Sequence, residues 1–115
     1  MDKKLTKTLT IRLYTDGKCF GPGIAQLLER VRDYHSLRAA AQSMSMAYSK
    51  AWTIVRSCEA ALGFRLLDYT TGGRNGGGAA LTPEAERTLA AYRGYCAEVG
   101  RCADEAFGRF FGDLP

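Results

Sequence analysis

The sequence holds one histidine, His35, and one tryptophan, Trp52, with three prolines among its 115 residues. A lone imidazole leaves no Ser/His/Asp or Cys/His arrangement with a usable base, so catalysis of that kind is not expected. The four cysteines (Cys19, Cys58, Cys96, Cys102) form no CxxC pair. A zinc site needs clustered thiolates or imidazoles at short spacing, so no metal is expected, and no cofactor either. The thiols read as reduced, small apolar fillers. No stretch reaches the ~18 uninterrupted apolar residues of a membrane-spanning helix. Met1-Asp2-Lys3-Lys4-Leu5 is followed by no apolar signal-peptide core, so a cytoplasmic protein is expected.

What remains is 46% hydrophobic, 24% charged and 10% aromatic, the composition of one ordinary globular domain. The net charge of +4 is mild, but its distribution is uneven. Residues 1–80 carry twelve cations against six acids, and residues 81–115 carry four against six. A basic N-terminal two-thirds beside an acidic remainder suggests that one face meets a polyanion.

Leu9, Ile11 and Leu13 alternate with polar neighbours, which predicts a half-buried strand over 8–14, stopped by the turn signal Thr15-Asp16-Gly17-Lys18. Gly21-Pro22-Gly23 opens a helix to about Tyr34, with Ile24, Leu27, Leu28 and Val31 on one stripe. Ser36 is an N-cap for a short helix, 37–43, whose three consecutive alanines leave little bulk. A third helix spans 48–62 and ends at Gly63; Ala51, Trp52, Val55, Cys58 and Leu62 read as its apolar face. Residues 65–70 and 79–81 read as a hairpin around the glycine-rich stretch 72–78. That stretch lacks the Gly-Lys-Ser/Thr ending of a nucleotide-binding loop. Thr82-Pro83-Glu84 opens the last helix. Its apolar residues, Ala85, Leu89, Tyr92, Cys96, Val99, Ala103, Ala106 and Phe110, are spaced alternately by four and three, as in a coiled-coil seam.

Helix, tight turn, helix, strand, loop, strand is the order of a winged helix-turn-helix. The expected fold is mainly α with small β, with an N-terminal strand and a long C-terminal dimerisation helix. Residues 1–82 are expected to form the DNA-binding part, and 83–115 the pairing helix and tail. A third helix propped on small alanines can enter a major groove about 12 Å wide. Its polar face offers Tyr48, Ser49, Lys50, Thr53 and Arg56, while Trp52 reads as core beneath it.

These residues carry a resemblance. Gly21-Pro22-Gly23, Ser36-Leu37-Arg38-Ala39-Ala40-Ala41, Met46-Ala47-Tyr48-Ser49-Lys50-Ala51-Trp52, Leu62-Gly63-Phe64 and the wing from Thr71 to Gly78 with Leu81-Thr82-Pro83 resemble the N-terminal domain of ModE-type molybdate-responsive regulators, within the LysR-type winged-helix group. The resemblance covers about 60% of the chain. It implies a homodimer on double-stranded DNA, with the third helix in the major groove and the wing, 71–79, on the backbone or minor groove. Ser45 stands where that family usually has glycine, and Ala47 where a capping serine is common. No molybdate site is expected in this chain. The DNA-contact set is Ser36, Arg38, Tyr48, Ser49, Lys50, Thr53, Arg56, Arg74 and Asn75. The dimer set is Leu89, Tyr92, Cys96, Val99, Ala103 and Phe110. The alternative is a winged-helix docking module for another protein, with Phe107, Phe110 and Phe111 as its patch.

Overall fold

Pro22 has no N–H to leave unmet and a φ already near the helical value, so a helix can start there freely. In the computed structural model, which describes residues 3–70 and 77–114, helix α1 spans Pro22–Tyr34 and buries Ile24, Ala25, Leu27, Leu28 and Val31. It ends at His35, whose φ of 58° is left-handed. Ser36 caps α2 (Leu37–Ser43) by accepting from the Ala39 N–H at 3.0 Å. Helix α3 (Tyr48–Leu62) begins at Ala47 without a side-chain cap and ends at Gly63, φ 86°. These three spans agree with the periodicity read from the sequence.

The turn between α2 and α3 is closed by backbone bonds: Ser45 N–H donates to Gln42 O at 3.0 Å and Met46 N–H to Ala41 O at 2.9 Å. That geometry forces Ser45 to a φ of 53°, where a Cβ crowds the following carbonyl.

The N-terminal strand is shorter than its alternation suggested. Only β1 (Leu13–Tyr14) pairs, antiparallel, with β2 (Lys18–Phe20), a strand the turn signal had concealed. Further back there is no ladder: the Ile11 carbonyl accepts from the Tyr92 hydroxyl at 2.8 Å, and Leu9 is exposed. The alternation therefore marks a segment laid along another helix, not a sheet.

The wing is the antiparallel pair β3 (Leu67–Thr70) and β4 (Gly78–Leu81), in register from Leu67↔Leu81 to Thr70↔Gly78. Two bonds seat it. The Glu59 carboxylate accepts from Leu66 N–H at 2.8 Å and, more weakly, from Leu67 N–H at 3.4 Å. Ala79 N–H donates to the His35 carbonyl at 2.9 Å. A Cβ on Gly78 would lie 3.0 Å from that same carbonyl, so the close approach favours glycine there.

Helix α4 (Pro83–Phe111) starts at Thr82, whose hydroxyl accepts from Ala85 N–H at 3.0 Å and donates to Arg65 O at 2.7 Å. Its 29 residues make a rod about 43 Å long. Only Ala85, Leu89 and Tyr92 are buried. Tyr92 meets Phe20 edge-on, ring centres 5.1 Å apart. Next to it the Arg93 guanidinium grips Glu29 of α1 at 2.6 and 2.9 Å and holds that carboxyl below its ordinary range. Cys96 still packs half-buried against that core; farther on the helix projects from the body, and the molecule measures 62 × 34 × 21 Å. The even seam is thus divided: Leu89 and Tyr92 belong to the chain's own core and are not free to pair with another copy.

The cysteines divide as well. Cys19 and Cys58 are buried, Cys96 is half-buried and Cys102 is exposed, so the filler reading fails for Cys102. Burial, with Cys19 alongside, pushes the Cys58 thiol up to about 12.

Replacing Ser45 by Gly should raise the unfolding free energy by about 0.5–1 kcal/mol in urea melts, because glycine accepts a left-handed φ. An unchanged or lowered midpoint would show that the turn carries no strain. With iodoacetamide at pH 8, Cys102 should be alkylated in the native protein and Cys58 only after denaturation. Equal labelling rates would contradict the burial described above.

Candidate nucleic-acid interface

Helix α3 has a complete inward stripe in Ala51, Val55 and Cys58, all buried. Of the residues between them, Ile54 packs half-buried against the core and the other four face away. Tyr48, Ser49, Lys50, Thr53 and Arg56 are all exposed, as expected. Among the described residues Lys50 makes no salt bridge. Thr53 is less free than its exposure suggests, since its hydroxyl donates to the Ser49 carbonyl at 2.9 Å.

Trp52 overturns its expected role. It is 45% exposed and does not fill the core. The reason is angular. The stripe of Ala51, Val55 and Cys58 is spaced by four and three, and Trp52 sits one position, about 100°, off it. Arg56, one turn later, places its guanidinium 5.5 Å from the ring centre and 3.8 Å from Glu59.

A second group gathers where α2, α3 and the wing meet. The Arg38 guanidinium stacks 4.2 Å from the centre of the Tyr48 ring. Both line a cleft of about 360 Å³ with Ser36, Tyr69, Thr70 and Gly78. Stacking holds the guanidinium in place while leaving its N–H donors unspent. Burial pushes the Tyr69 phenol above its ordinary range, with Glu59 and Tyr48 adding to the effect, so it stays a neutral O–H donor. Ser36 has its hydroxyl oxygen committed to the α2 cap.

The structure therefore brings Ser36, Arg38 and Tyr48 to one cleft and sets Ser49, Lys50, Thr53 and Arg56 along one adjoining helix face. Arg74 and Asn75 lie outside the described residues. Tyr69, Thr70 and Glu59 went unnoticed in the sequence. Strand alternation from Leu67 would have placed Tyr69 on the side facing the helices. Nothing local marked Glu59, whose partners lie seven and eight residues on. In the dimer set, Cys96, Val99 and Ala103 are half-buried and Phe110 is 73% exposed. No helix among the described residues is long and apolar enough to cross a membrane, and they contain no cluster of metal-ligating side chains.

Comparison with known proteins agrees with this layout. Residues 25–86, just over half of the chain, match the family described as bacterial regulatory helix-turn-helix protein, lysR family. The chain is 36% identical over 84 residues to the transcriptional regulator ModE of Haemophilus influenzae, covering 73% of this chain and 32% of that protein. It is 34% identical over 76 residues to the molybdenum-pterin-binding protein MopB of Rhodobacter capsulatus, covering 66% of this chain and 28% of that one. Over 67 residues it is 34% identical to the molybdenum transport protein ModE of Herbaspirillum seropedicae, covering 58% and 25%. The chain thus spans about a third or less of the length of these relatives. The matched segment runs from α1 through the helix-turn-helix and wing into the first turn of α4, and on that extent the chain belongs to the LysR-type family of bacterial regulatory helix-turn-helix proteins.

Proposed function

We propose that this chain is a cytoplasmic, sequence-specific regulator of transcription that binds double-stranded DNA as a homodimer. The observation that carries the reading is the outward face of α3. Tyr48, Ser49, Lys50 and Arg56 stand exposed on a helix propped by a short alanine-rich one. In this reading α3 lies in the major groove and its side chains meet base edges. Arg38, stacked on Tyr48 beside Tyr69, takes a backbone phosphate; the wing, 71–79, with Arg74 and Asn75, follows the backbone or minor groove. The reading assigns neither a cofactor nor a molybdate site to this chain.

Pairing is assigned to α4 beyond the body, through Cys96, Val99, Ala103 and Phe110. Phe107 and Phe111 stack there with centres 5.2 Å apart, on a stretch where three glycines, Gly94, Gly100 and Gly108, weaken an isolated helix. A second copy would cover the apolar edge and support the helix at once. Two recognition helices would then meet half-sites about 34 Å apart.

Selection from a random duplex library tests the reading directly. Lys50→Ala should weaken the enriched duplex on the order of ten-fold and random DNA far less. Arg38→Ala should weaken both alike and flatten the salt dependence by roughly one counterion. If no duplex is bound at low salt and a heteromeric protein complex forms instead, the chain is a docking module. Val99→Glu should give a monomer by light scattering with the helical circular dichroism retained; a persisting dimer would place the interface elsewhere.

A further inference from the structure

The bulkiest side chain on the outward face of α3 is apolar. Trp52 stands 45% exposed between Ser49 and Arg56, although half-hydrating an indole forfeits burial energy that a small polar residue would not. Nothing in the core requires it there, because the inward stripe of α3 closes without it. The ring is also held. Arg56 lies over it at 5.5 Å, Arg56 is in turn 3.8 Å from Glu59, and Glu59 is anchored by the Leu66 N–H at 2.8 Å.

A major groove displays one apolar feature, the C5-methyl group of thymine. A half-hydrated indole, fixed on a face turned to such a groove, complements that methyl and no other base-edge group. We propose that Trp52 is a specificity-determining residue that reads thymine by covering its C5-methyl, with Arg56 as the positioning residue that holds the ring. The inference rests on the DNA-binding reading above and adds to it the base recognised and the side chain that recognises it.

Deoxyuridine in place of thymine deletes the methyl and leaves every hydrogen-bonding group of the pair intact, so it isolates this contact. A duplex enriched by the wild-type protein should be bound about four-fold more weakly per contacted methyl once its thymines are replaced. Trp52→Ala, with an unchanged melting midpoint, should bind the thymine and uracil duplexes alike. Arg56→Gln should shrink the thymine-to-uracil ratio, also without a change in midpoint. Trp52 is the chain's single indole, so its emission should change when the thymine duplex is bound. A wild-type protein indifferent to the methyl, or a Trp52→Ala protein that keeps the full ratio, overturns the assignment while leaving DNA binding standing. Failure to enrich any duplex overturns both.

Discussion

The close approach of α2 to its two neighbours governs the rest of the molecule. Ala40 and Ala41 of α2, Ala25 of α1 and Ala51 of α3 are all fully buried in one core cluster. Side chains this small let helix axes approach until backbones nearly touch, and an added methylene in such a place forces shifts costing about 1–3 kcal/mol. The angle of α3 is therefore set by what α2 lacks. Leucines and Val31 of α1 supply the bulk from below, and the whole outer face of α3 is left bare.

Where one element decides its own conformation, the sequence was sufficient. The proline and glycine around the start of α1, the Ser36 cap and the Gly63 stop are local signals, and α1 and α2 begin, and α3 stops, where those signals lie. Elements that need a partner were harder. The alternation of Leu9, Ile11 and Leu13 looks like a strand, yet the Ile11 carbonyl is taken by a hydroxyl 81 residues away. Trp52 was misplaced because hydrophobicity and periodicity disagree there. Its bulk suggests core, whereas its angle on the helix points outward, and angle prevailed. Most of the expected contact face was legible because exposed polar residues on a helix depend only on the inward stripe. The Tyr69 side of the cleft was not, since it arises where wing and helices meet.

Helix α4 changes its task along its length. The first turns are bound into the body by Tyr92 and by the Arg93–Glu29 pair, which joins α4 to α1. Farther along, Lys7 from the N-terminal segment pairs with Asp104, so even the projecting part is touched by the start of the chain. An exposed pair of this kind contributes about 0–1 kcal/mol, too little to substitute for a packed partner. The even apolar spacing of α4 is thus split in two, a first part buried in the chain's own core and a later part left half-buried or exposed.

Glu59 ties together what would otherwise be separate parts. One carboxylate oxygen accepts from the wing root at Leu66, and the other faces Arg56 on α3. A charge that draws Arg56 outward therefore pulls on the same group that seats the wing. Helix and wing are braced as one plate, and the spacing between them is a property of the folded chain. In the complex proposed above, a mismatch between that spacing and the helical repeat of the duplex would have to be taken up by curvature of the nucleic acid, and a sequence's willingness to bend would then enter the choice of site alongside its letters.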